Sequence, residues 1–107
     1  MTNNNDVATV IIELDRPRVL RYGHKALKKL SEMTGMRMEE MIDGEIDAAK
    51  METIIYCGLL SDDKDLKLDQ MEDLLDKVSP KYYMDKMTSA ISAAFGHNGK
   101  ETDTEKR

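Results

Sequence analysis

The sequence predicts a mainly α fold: a small bundle of about four helices with a short N-terminal β-hairpin. Three observations carry this reading. A long apolar segment, Asp43–Leu60, has the spacing of a helix that is covered on most sides. Segments before and after it bear one-sided apolar stripes at helical intervals and need a surface to cover. A β-branched run, Val7–Leu14, opens the chain and leads into a proline-containing turn.

The central segment places Ile46, Ala49, Ile54 and Cys57 beside Met51, Ile55 and Leu59, a band that widens toward the C-terminal end. Asp43 stands where an N-cap belongs, and the acidic residues after it suit the positive end of the helix dipole. This helix is therefore expected to be the most enclosed element, with Ile54, Ile55, Cys57 and Leu59 buried together with Leu75 and Ile91 of later segments.

The other elements follow in chain order. Residues 1–6 are polar and asparagine-rich and are expected to be a frayed end, with one domain spanning residues 7–96. Val7–Leu14 reads as a strand. Asp15–Arg18 reads as a turn in which Pro17 fixes φ and Asp15 bonds back to the backbone. Arg18–Tyr22 returns as a second strand. Such a hairpin is marginal alone and must lie against helices. His24–Thr34 carries Ala26, Leu27, Leu30 and Met33 on one face, and Gly35 stands at the C′ position. Met36–Ile42 forms a short helix or turn.

After the central helix, Ser61–Lys67 is a charged loop. Asp69 and Glu72 make a capping-box pair that starts a helix with Met71, Leu74, Leu75 and Val78 on one side. Ser79 caps a last helix and Pro80 takes its first position. That helix aligns Tyr83, Met84, Met87, Ile91, Ala94 and Phe95. Residues 97–107 are polar and expected to be a disordered tail.

Composition bounds the function. A chain of 107 residues with 40% hydrophobic content supports one small core. A formal net charge of −5 argues against a dedicated nucleic-acid binder. The lone Cys57 cannot form an internal disulfide, which fits a reducing intracellular setting. The chain opens on no secretory signal pattern and contains no apolar run approaching the length of a membrane span, so neither secretion nor a membrane location is expected.

Catalytic and metal chemistry find no foothold. His24 and His97 have no Cys, His or carboxylate at ligand spacing. Cys57 has no basic neighbour to activate it. No glycine-rich phosphate loop occurs, and no cofactor is expected. Ser61, Asp63, Asp65, Asp69 and Glu72 follow the oxygen spacing of a calcium loop, but Leu66 occupies the position where the sharp turn demands glycine. A solvated loop is the simpler reading.

Two features rise above this background. The first is a basic cluster, Arg16, Arg18, Arg21, Lys25, Lys28 and Lys29, with no acidic residue among them, after which acids dominate. The second is nine methionines, pliable side chains suited to an irregular core or an adaptable binding face. Met36, Met38 and Met41 on the short helix, and Met84 and Met87 on the last, are the candidate partner-binding apolar residues, with the basic cluster assisting docking.

A DNA-binding alternative rests on Ala26–Gly35, which has the look of the first half of a helix-turn-helix, with Ser31 four residues before Gly35. The segment that would enter the major groove, Met36–Asp43, holds three acids against one base, and acids repel phosphates. A small helix-turn-helix-like regulator is therefore the second reading.

Several short motifs occur in a telling order: Glu32-Met33-Thr34-Gly35 at the end of a helix, Tyr56-Cys57-Gly58-Leu59-Leu60 at the end of the central helix, the acidic loop, Leu68–Leu75, and Ala90–Gly96. In this the chain resembles the tail assembly chaperones of long-tailed bacteriophages and related prophage or gene-transfer-agent elements, over about Val10–Gly96. The resemblance implies a small, non-enzymatic protein in the cytoplasm of an infected or lysogenic bacterium. Its implied partners are the tape measure protein, a long helical chain kept soluble by the chaperone, and the tail tube protein, whose subunits it helps recruit. Many such proteins also occur in a frameshift-extended form, and the polar tail is compatible with a linker to one. Self-association is left open.

Overall fold

The computed structural model describes residues 8–43 and 45–96. The expectations for the two termini lie outside the described residues. The fold is mainly helical, with a two-stranded antiparallel sheet before five α-helices among the described residues. Strands β1 (Thr9–Glu13) and β2 (Pro17–Arg21) pair in the register Thr9↔Arg21 through Glu13↔Pro17. Helices α1 (His24–Thr34), α2 (Met38–Asp43), α3 (Ala48–Leu59), α4 (Met71–Leu75) and α5 (Pro80–Ala94) follow, with a 3₁₀ turn at Leu68–Gln70.

Alternation along the strands assigns the two faces of the hairpin. Ile12, Arg18 and Leu20 are buried while Thr9, Ile11, Pro17 and Arg21 face outward. The inner face lies on α3 and α5, which gives the marginal hairpin the cover it needs. Its tip is fixed by a buried guanidinium. Arg18 donates from Nε and Nη2 to the two Asp15 carboxylate oxygens at 2.7 and 3.0 Å, and from Nη1 to Asp63 Oδ2 at 3.2 Å. The second strand begins one residue before the expected Arg18, and the Asp15 carboxylate, expected to bond back to the local backbone, grips this side chain as well. The Glu13 amide also donates to the Tyr82 hydroxyl at 2.9 Å, tying β1 to α5.

Helix α1 has the expected bounds and ends on Gly35 at φ 72°, its amide donating to Ser31 O at 2.8 Å. The corner after it is braced by side chains. Thr34 Oγ1 donates to Leu30 O at 2.8 Å and accepts from the Met36 amide at 3.1 Å, while Ser31 Oγ donates to Met36 O at 3.0 Å.

Two helix starts differ from expectation. Asp43 closes α2, and the N-cap of α3 is Asp47, whose carboxylate accepts from the Lys50 amide at 2.8 Å. Asp69 does not cap α4: the turn begins at Leu68, Gln70 Oε1 accepts from the Lys67 amide at 2.8 Å, and α4 proper begins at Met71. The start of α5 is as expected, Ser79 Oγ accepting from the Tyr82 amide at 3.2 Å with Pro80 at the first position.

Helix α3 is the keel. Ile54, Ile55, Cys57, Gly58 and Leu59 are all buried there, joined by Leu20 and Tyr22 from β2 and just beyond it, Leu30 from α1, Met71, Leu74 and Leu75 from α4, and Ile91 from α5. Tyr22 is held in this core by donating its hydroxyl to Ile54 O at 2.7 Å. Its ring lies so close to α3 that a Cβ at Gly58 would stand 2.5 Å from the ring carbon Cζ.

Candidate partner-binding surface

Burial sorts the five candidate methionines into two groups. Met38 and Met84 are open to solvent, at 51% and 41% exposure, whereas Met36, Met41 and Met87 are 5%, 3% and 5% exposed and belong to the core. The expectation that all five form an exposed face is thus corrected. Met41 and Met87 face inward where α2 lies against α5, and Met36 is enclosed at the braced corner after α1. Met33 on α1 is 41% exposed and adds an open methionine that the stripe of α1 had assigned to the core.

Three of the candidates nonetheless meet at one place. Met41, Met84 and Met87, with Met51, Ile46 and Ile91, line a cleft of about 210 Å³ between α2, α3 and α5. Thr88 and Ser92 supply its polar edge. The buried methionines form its inner wall and Met84 its exposed lip. Unbranched thioether side chains can change rotamer to match an incoming apolar surface, so such a lining suits an adaptable contact.

The basic cluster divides as well. Arg18 is buried and committed to Asp15 and Asp63, so it is corrected from a docking residue to a structural one. Arg16 lies 3.8 and 3.7 Å from the carboxylates of Asp62 and Asp63. Arg21, Lys25, Lys28 and Lys29 are exposed and make no ion pair among the described residues. Arg21 and Lys25 join Lys64 around a cleft of about 430 Å³ at the start of α1. The cationic surface that remains therefore centres on α1.

Three titratable groups at the hairpin tip and in the core are shifted by their surroundings. The Arg18 guanidinium holds the Asp15 carboxyl down at about 2, against an ordinary value of 3.8. Burial pushes the Cys57 thiol up to about 11, so the thiolate that nucleophilic chemistry needs is suppressed at neutral pH. Burial, with a smaller contribution from Cys57, raises the Tyr22 hydroxyl well above its usual range. No group of three His, Cys, Asp or Glu among the described residues is placed to hold a metal ion. No helix among them is long and apolar enough to cross a membrane. Comparison of the chain with protein-family models, curated proteins and solved structures finds no match.

Proposed function

We propose that this protein is a non-enzymatic tail assembly chaperone of a phage or prophage, acting in the cytoplasm of the bacterial host. It binds the tape measure protein and helps recruit tail tube subunits. The observation that carries the reading is the methionine-lined cleft between α2, α3 and α5, with Met84 at its lip, in a chain that exposes Met38 and Met33 as well. A chaperone of long amphipathic helices needs pliable apolar surface beside enough charge to keep the complex dispersed, and helix-in-groove contact meets that need. The motif order from Val10 to Gly96 supports the same reading.

The exposed cations on α1 serve as a steering patch for an acidic stretch of the partner. The DNA-binding alternative gains no support from α2, which spans six residues and carries Glu39 and Glu40 in its first turn, facing any phosphate with negative charge.

The test is co-expression with the tape measure protein of the same genome. The expected result is that the tape measure protein stays in the soluble fraction and elutes with this chain. A tape measure protein that precipitates, with no co-eluting complex, contradicts the proposal. Duplex-DNA binding at physiological salt in that case favours the regulator.

A further inference from the structure

The face opposite in charge to α1 has no place in the reading above. Two adjoining depressions, of about 440 and 550 Å³, share Glu52 and Glu72 and run along the N-terminal half of α3, the Leu68–Gln70 turn, α4 and the start of α5. The apolar lining comes from Leu75, Val78, Pro80 and Tyr83, with Ala48 and Leu68 toward the two ends. Around it stand five carboxylates: Glu52, Asp69, Glu72, Asp73 and Asp76.

None of these five makes an ion pair among the described residues, although Asp15, Glu40, Asp62, Asp63 and Asp85 all do. Lys67 is the basic residue that lines the groove. Local structure explains part of the pattern, since Glu72 and Asp73 occupy the first turn of α4, where acids are favoured. It does not explain Asp76, which stands at the carbonyl end of that helix, nor Glu52, halfway along the facing helix. The Glu52 carboxyl is held above its ordinary range by burial and, less, by the charge of Glu72 across the groove. An incoming cation relieves that repulsion.

We infer that this acid-rimmed apolar groove is a docking site for a cationic amphipathic helix of a partner protein. Apolar anchors of that helix seat on the partly exposed Val78, Pro80 and Tyr83, above the buried Leu75, and flanking Lys or Arg side chains reach the carboxylates. The inference goes beyond the tape measure reading and does not depend on it, because the groove shares no lining residue with the methionine cleft and its occupant is defined by charge. The chain's own cationic helix, α1, offers Met33 as its one large exposed hydrophobic side chain, so a second copy presents a poorer set of anchors than a dedicated amphipathic helix.

The probe is a synthetic peptide with Leu at i, i+3, i+4 and i+7 and Lys elsewhere, titrated into the ¹⁵N-labelled full chain, beside a scrambled peptide of equal composition. Amide shifts are expected to centre on Leu75, Val78 and Tyr83. Affinity should fall on the order of tenfold in Glu72→Lys/Asp76→Lys, and the scrambled peptide should bind more weakly. Both positions are exposed, so the wild-type spectrum should persist, and Glu72→Gln/Asp76→Asn offers a milder variant that should weaken binding in the same direction. Equal binding of the scrambled peptide, unchanged affinity in both variants, or shifts centred on Met84 and Met87 would each overturn the inference. Concentration-dependent shifts at the groove without peptide would assign it to a second copy instead.

Discussion

Gly58 shows how much a single position can fix. Helix interiors disfavour glycine, and replacing it with alanine ordinarily gains about 1 kcal/mol. Here the added methyl would meet the Tyr22 ring at 2.5 Å and its hydroxyl oxygen at 2.7 Å. Tyr22 is 1% exposed and pinned by its bond to Ile54 O, so it has nowhere to go. Strain outweighs propensity, and Gly58→Ala should destabilise by roughly 1–3 kcal/mol in urea melts; a stabilised variant would show that Tyr22 can yield.

The Asp15–Arg18 pair gives a second expectation at this scale. A carboxyl held at about 2 in the folded chain and near 3.8 when free contributes stability that is whole above pH 4 and lost as pH falls toward 2. Glu52, whose folded pKa is raised, acts in the opposite sense. Comparing wild type with Asp15→Asn isolates the Asp15 contribution. The urea midpoint of the wild type should drop more steeply between pH 5 and pH 2.5, and parallel profiles would refute the coupling.

Among elements, α3 organises the rest because its last two turns are covered from several sides. Ile55 is fully buried there, and Ile55→Ala should cost about 2–4 kcal/mol by leaving a cavity, read as a lower urea midpoint at unchanged slope. The keel, the hairpin, the bounds of α1 and the cap of α5 were legible in the sequence, because each is set by local periodicity or by a turn residue with one dominant use. The start of α3 was not: Asp43 and Asp47 are both credible caps, and the Asp43-Gly44 pair, a turn signal, was the clue that the helix begins later.

Methionine exposure was still less legible. A methionine on a helical stripe looks the same whether or not another element covers it, and α2 against α5 buries Met41 and Met87 while leaving Met38 and Met84 open. The role of Arg18 was hidden for a related reason, since one of its partners, Asp63, lies 45 residues away in sequence. The acidic groove is likewise built from segments whose charges look like solvated faces when taken singly. These differences change which variants report on binding. Met38→Ser/Met84→Ser should leave the urea midpoint nearly unmoved, whereas Met41→Ser should lower it by about 2 kcal/mol or more in stability, because it leaves a cavity and a hydroxyl in the core.

At the scale of the whole molecule, charge and apolar surface are separated into distinct regions around one small core: cations on α1, methionines between α2, α3 and α5, and carboxylates along α3 and α4. That arrangement fits a protein whose work is to hold other chains, and it makes the central claim directly measurable. The measurement is the affinity and association rate of the purified chain for the tape measure protein of the same genome, kept soluble as a fragment. Wild type should bind, and Met38→Ser/Met84→Ser should bind at least severalfold more weakly with its fold intact. Reversing Lys25, Lys28 and Lys29 should slow association and flatten its salt dependence with less effect on dissociation. No detectable wild-type binding, or an unchanged affinity in the methionine double variant, would contradict the account.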